Sequence, residues 1–184
     1  NHQAIGTWNQ DVQENLAFLK FSEHFFKQGI AVPEIYAVNG AKTCYLQEDL
    51  GTVTLFDYIT LVREQEGFSE KIISIYKKIL IELPKIQITA GQGIDYGYCY
   101  PRAAFDKQSM MWDLNYFKYY FLKLARIHFD EQALEDDFES FTNFLLEADG
   151  GFFLFRDFQS RNMMLINDRV AFIDYQGGRK GALQ

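Results

Sequence analysis

The chain has 184 residues, of which 48% are hydrophobic and 17% aromatic, enough apolar surface to close a core, and its net charge is −7 with a sequence pI near 5.0. That acidic balance argues against nucleic acid as a partner, because backbone phosphates demand a basic face. Cys44 and Cys99 form no C-x-x-C pair, His2, His24 and His128 lack metal-ligand spacing, and no run reaches the roughly 18 apolar residues of a membrane span, so the expectation is a cytoplasmic globular protein with neither disulfide framework, zinc site nor membrane association.

From Asp11 to Gln28 the residues Val12, Leu16, Phe18, Leu19, Phe21, Phe25 and Phe26 recur at helical spacing until Gly29, which predicts a helix. The segments PEIYAV (33–38) and TCYLQE (43–48) read as short strands around Asn39-Gly40, a dipeptide suited to the positive backbone angles of a tight hairpin. QEDLG (47–51) ends the second strand, and helices are expected over about 54–64 and 69–83. Between Gln92 and Met111 glycines, tyrosines and Pro101 follow no period, which suggests an ordered loop. Asp113 is then placed to cap a helix bearing Leu114, Phe117, Phe121, Leu124 and Ile127, most of whose aromatic run is expected in the core, and 134–148 gives one more helix. No repeat, low-complexity segment or Pro/Ser-rich linker divides the chain, so one cooperative unit is expected.

Near its end, FRDFQSRNMM (155–164) sets a dense run of charged and amide groups at the mouth of an apolar strand. Strands 163–166 and 170–173 flank Asn167, Asp168 and Arg169, a turn-forming cluster. A turn centred on Asp168 puts Ile166 opposite Val170, Met163 opposite Ile173 and Asn162 opposite Asp174, with opposed residues on the order of 5 Å apart. An amide oxygen and a carboxylate so placed begin a magnesium site, since Mg²⁺ takes one or two protein oxygens and completes its shell with phosphates and water. Asp157 enters the same end, where a carboxylate beside a cation stays ionised and orients a hydroxyl for attack.

The order Asp, four residues, Asn, hairpin, Asp is that of a kinase catalytic loop followed by its metal-binding aspartate. RDFQSRN (156–162) resembles the catalytic loop of the aminoglycoside phosphotransferase family, within the protein-kinase-like fold, and FIDYQGGRKG (172–181) resembles its metal-binding segment. CYLQEDLG (44–51) is similar to the family's interlobe hinge and IAVPEIYAV (30–38) to the strand entry before it. The likeness is strongest to bacterial kinases that phosphorylate cell-wall amino sugars at the anomeric position.

The resemblance implies an α+β, protein-kinase-like fold: a partial β-containing N-lobe over 1–50 and a mainly helical C-lobe over 51–184 that carries the catalytic hairpin. On this likeness the chain looks truncated at both ends, which leaves room for a fused or partner domain, and the fragment alone is expected to bind ATP poorly and to show no turnover. ATP and Mg²⁺ are the implied cofactors, and the acceptor is a hydroxylated small molecule, an amino sugar such as N-acetylglucosamine or N-acetylmuramate. The alternatives are an aminoglycoside or choline-like phosphotransferase and a catalytically weak, regulatory nucleotide-binding module.

By the same likeness Asp157 is the catalytic base, Asn162 and Asp174 hold Mg²⁺, and the backbone of Gln47, Glu48, Asp49 and Leu50 meets the nucleotide. Arg161 either neutralises the transferring group or is a solvated surface cation, and Arg156 pairs with a carboxylate to brace the loop. Glu14 either partners the phosphate-binding lysine or forms a capping pair with Asp11. Trp112 or Tyr116 stacks on a sugar face, and Asp113 is a sugar ligand if it is not a helix cap. The departures are three: Phe155 replaces a bracing histidine and puts loop rigidity in question, HQAIGTW (2–8) has no lysine, and GQGIDYG (91–97) fails as a glycine-rich phosphate loop at Tyr96.

Overall fold

The structure, a computed structural model, describes residues 3–167 and 169–183; His2 and Asp168, both singled out above, lie outside the described residues. It opens with strand β1 (Ala4–Trp8), followed by helix α1 (Val12–Lys27) and strands β2 (Ile35–Val38) and β3 (Cys44–Glu48). The three strands form one antiparallel sheet in the order β1-β3-β2, with Gly6 opposite Leu46 and Trp8 opposite Cys44. Helix α1 starts where expected because Asp11 Oδ1 accepts from the N–H groups of Gln13 and Glu14 at 3.0 and 3.1 Å, and it stops at Gly29, which takes a φ of +75°. Its inward residues Ala17, Phe18, Phe21 and Phe25 are buried.

The β2–β3 connection is wider than the expected tight turn. The left-handed residue is Lys42, with φ of 59°, and neither Asn39 nor Gly40 has a positive φ. Asn39 contributes its side chain instead, Oδ1 accepting from Thr43 N and Cys44 N at 2.9 and 3.0 Å, so a side-chain bond replaces the backbone twist.

Helices α2 (Leu55–Glu66) and α3 (Glu70–Pro84) follow, the first capped by Thr54 and ended by Gly67 at φ +72°, the second running on into a π-helical turn, Lys85–Thr89. Helix α4 spans Lys107–Phe117 and continues through a second π-helical turn, Lys118–Leu122, and α5 spans Glu131–Leu145. Two expectations are corrected here. Asp106 caps α4, accepting from Ser109 N at 3.0 Å, and Asp113 lies within the helix. The aromatic run is not a core stripe: Phe117, Phe121, Leu124 and Ile127 are exposed. Aromatic and aliphatic residues surround this helix on every side from Trp112 to Phe121, so the pattern selects no face. What the helix buries is a cation, Lys118, 4% exposed, whose Nζ lies 2.6 Å from both Glu131 and Glu135 of α5.

The last forty residues add strands β4 (Phe152–Leu154), β5 (Met163–Ile166), β6 (Arg169–Phe172) and β7 (Arg179–Gly181). β5 and β6 form the hairpin, while β4 pairs with β7, so a second small ladder flanks the 155–162 segment and the hairpin. Gly178 makes that pairing sterically feasible, because a Cβ there would meet Phe153 Cζ at 2.2 Å. The arrangement is mixed α and β with small antiparallel sheets, and among the described residues no helix is long and apolar enough to cross a membrane. One buried cluster joins α1 (Phe21, Phe25) to α3 (Ile72, Ile79) and to the hairpin region (Phe153, Phe172, Tyr175), which fixes the sheet against the loop that holds the site.

Candidate functional site

The site is built at the open end of the β5–β6 hairpin, but the register differs from the expected one by a residue. Ile166 pairs with Arg169 and Met163 with Phe172, and Asn167 takes a φ of 46°. Asn162 therefore lies opposite Ile173, whose N–H donates to its carbonyl at 3.1 Å. On a continuing strand Asp174 would point away from Asn162. It does not continue: Asp174 takes the left-handed conformation, φ 63° and ψ 23°, and its Oδ2 accepts from Asn162 Nδ2 at 2.9 Å. The expected pair thus meets through a backbone twist and not through strand register.

The same Asn162 amide donates to the carbonyl of Asp157 at 3.1 Å, and Asp157 is itself left-handed, with φ of 53°. Asp174 Oδ1 accepts from Gln176 Nε2 at 2.9 Å, so both oxygens of this carboxylate receive an amide N–H. Removal from water holds the Asp174 carboxyl above its ordinary pKa, the bond from Gln176 opposes that rise, and the nearby charge of Asp157 adds to it.

Asn162, Asp174 and Gln176 line a cleft of about 360 Å³ whose other wall carries Thr7, Glu14, Asn15, Tyr45 and Gln47. The sheet and α1 face the hairpin across it. Among the described residues, the amide oxygens of Gln47 and Gln176, both cleft residues, are buried side-chain acceptors without a partner. Such orphans are rare in folded proteins and mark sites awaiting a ligand or under a functional constraint.

Tyr175 locks the site to α1. Its ring stacks on Phe18 at 5.5 Å and meets Phe25 edge-on at 5.5 Å, and its hydroxyl lies 2.5 Å from Ser22 Oγ. Ser22 donates its own proton to Phe18 O at 2.7 Å, so the tyrosine is the donor of the shorter contact, and burial pushes its pKa up. Phe155, 3% exposed, packs edge-on against Phe158, Phe172 and Tyr175, so aromatic packing braces the loop at the position where a histidine was expected.

The remaining expected residues divide. Arg156 binds Asp113 through both carboxylate oxygens, at 3.0 and 2.8 Å, which is the loop brace expected of it and which engages Asp113 as its partner. Arg161 stacks over Phe56 of α2 at 3.9 Å, a cation–π contact that ties the loop to that helix. Trp112 sits beneath Arg102, and Tyr116 stacks on Tyr120 with centroids 4.4 Å apart; both are exposed and neither lines the cleft. Glu14 does line it, and its carboxylate accepts from Asn9 Nδ2 at 3.1 Å; Asp11 caps the helix by accepting from Glu14 N, which is half of the capping pair, and the partner found for the Glu14 carboxylate is an amide and not a lysine. Among the described residues no lysine or arginine lines the cleft.

At the hinge, Glu48 N–H is already given to Glu34 O at 2.8 Å, and Asp49 closes a local turn onto Gly51 N at 2.8 Å. Leu50 packs with Met164 and Ala171, joining the hinge to the hairpin. Of the four, Gln47 is the one that lines the cleft. Sequence reasoning missed Asn15, whose buried amide donates to Asn9 O and Lys42 O at 2.8 Å each, and Gln176; a polar residue breaking the α1 stripe signals the first.

Among the described residues no group of three or more His, Cys, Asp or Glu gathers as a metal site. Asn162 and Asp174 would be the one or two protein ligands Mg²⁺ takes, the Asn162 amide then giving up its N–H bonds to Asp157 O and Asp174 Oδ2 to turn its oxygen to the ion. No protein-family model matches the chain, and a search of curated proteins returns no significant match.

Proposed function

We propose that this protein is a small-molecule kinase that transfers the γ-phosphoryl group of ATP to a sugar hydroxyl, with an N-acetylated amino sugar as acceptor. The observation that carries the reading is the Asn162 amide, which holds the Asp157 carbonyl and the Asp174 carboxylate together at the edge of a cleft closed by α1 and the sheet. In this reading Asp157 orients the acceptor hydroxyl and takes its proton, and Asn162 and Asp174 hold Mg²⁺, which neutralises phosphate charge. Gln47, with its unpartnered amide oxygen, faces the nucleotide.

A catalytically weak nucleotide-binding module is the second reading. It is favoured by the absence of a cation among the cleft residues and by the Asn9 partner of Glu14. Full-length protein incubated with ATP and Mg²⁺ and with N-acetylglucosamine, N-acetylmuramate, kanamycin or choline separates the two. Phosphorylation of an N-acetylated sugar at its anomeric hydroxyl is expected. Activity on kanamycin or choline alone would change the acceptor and keep the kinase, and silence on all four would favour the second reading.

A further inference from the structure

Arg179 opens strand β7 opposite Leu154 and is 4% exposed. A guanidinium carries five N–H donors and keeps its charge at any working pH. Two of those donors, on Nε and Nη2, share one acceptor, the carbonyl of Gly177 two residues back, at 3.3 and 3.2 Å. Among the described residues no carboxylate lies within ion-pair distance of Arg179. A buried charge without a counter-ion is costly, and an apolar side chain of similar length would avoid that cost. Packing therefore does not account for an arginine at this position.

The neighbouring acids are already engaged. Arg102 binds Asp106, and Arg156 binds Asp113, in each case through both carboxylate oxygens. Phe105 draws the groups to one corner: Arg156 lies over its ring at 5.2 Å, and its N–H donates at 2.7 Å to the carbonyl of Lys180, the residue after Arg179. Removal from water and then the charge of Arg156 hold the Arg179 pKa below its ordinary value. Three guanidinium groups thus face two carboxylates, a local surplus of one positive charge in a chain whose net charge is −7. Arg156 directly precedes Asp157, and neither Arg156 nor Arg179 lines the cleft assigned to the nucleotide. An anion held at this corner therefore belongs to the acceptor and not to the triphosphate.

We propose that Arg179, with Arg156, is an anion subsite for a carboxylate on the acceptor, so that an N-acetylated sugar acid is preferred to its neutral counterpart. The proposal rests on the reading of Asp157 as the residue that faces the acceptor. A carboxylate matches the planar guanidinium through two parallel N–H bonds, and its single charge equals the surplus, whereas a phosphate ester brings nearly two.

Calorimetric titration of the full-length protein with N-acetylmuramate, N-acetylglucosamine and N-acetylglucosamine 6-phosphate reads binding without turnover. The wild type should bind N-acetylmuramate, whose lactyl ether carries the carboxylate, about 10–100-fold more tightly than N-acetylglucosamine, the range expected of a charged hydrogen-bonded pair. Arg179→Met should bring the acid down to the neutral sugar, leave the neutral sugar unchanged, and hold or raise the melting temperature. Equal affinities in the wild type overturn the proposal, even where Arg179→Met fails to fold. Tightest binding of the phosphate ester also overturns it, as does an equal loss for both sugars with a lowered melting temperature in Arg179→Met, which marks a structural role. If neither sugar binds the wild type, the acceptor reading and this proposal fall together. Preference for the acid without phosphorylation of any acceptor removes the kinase and leaves the subsite standing.

Discussion

Asp157 and Asp174 both hold left-handed backbone angles, φ of 53° and 63°. Such conformations cost roughly 1–3 kcal/mol for most side chains and concentrate at functional sites, with Asp and Asn the residues that tolerate them best. Asp157→Asn should therefore leave the fold and nucleotide binding intact while lowering kcat about 10²-fold or more, as loss of a base or orienting group does. Steady-state kinetics decide, and a near-wild-type kcat removes Asp157 from the mechanism. A second carboxylate is tuned by a different device. Bonded to Arg102 above all and also to Ser109 N, Asp106 is lowered from 3.8 to about 2. Its folded pKa is depressed, so its contribution to stability is complete above the unfolded value and is lost as pH falls from about 4 through about 2. A carbon-detected titration should give a midpoint near 2, and Arg102→Ala should return it toward 3.8; a midpoint that ignores the substitution refutes the pairing.

At the scale of elements, α1 is tied to the 172–181 segment by Tyr175, through its ring contacts and a buried hydroxyl pair with Ser22. Ser22→Ala strands the Tyr175 hydroxyl among Phe18, Phe25 and Phe155 and should cost about 1–3 kcal/mol, whereas Ser22→Ala with Tyr175→Phe removes both partners and should recover most of it. Urea unfolding of the two single variants and the double variant measures the coupling; simple additivity would show that the pair does not interact. The same elements show what the sequence makes legible. α1 could be bounded to a residue because Asp11 and Gly29 mark its ends, and the hairpin strands because apolar residues fill them. β1, β4 and β7 were not legible, since three to five residues paired to partners far along the chain leave no local period. The register slipped because Arg169 reads equally well as turn or strand, and the Asp174 twist that reunites the site is a backbone choice without a sequence pattern. Arg156 with Asp113, 43 residues apart, and Arg161 on Phe56 are tertiary facts of the same kind.

The resemblance divides the chain at residue 50, yet its buried cluster does not: Phe18, Phe21, Phe25 and Val32 share one core with Leu55, Ile72, Ile86, Phe153 and Phe172. A sheet and helix whose largest buried residues share one cluster with the later residues have no separate core on which to remain folded. The chain should therefore unfold in one transition. Its two tryptophans make the test direct, because Trp8 lies on β1 and Trp112 on α4, one on each side of that division. Each is at least partly exposed, so Trp8→Phe and Trp112→Phe should change stability little and leave a single reporter in each variant. Fluorescence followed through urea unfolding should then give the same midpoint from both variants, coincident with the loss of helical circular dichroism. A midpoint for Trp8 clearly below that for Trp112 would mean that the sheet detaches before the helices melt; the cleft between Gln47 and Asp174 would then join two independently folding bodies, and the single core would not be the unit of stability.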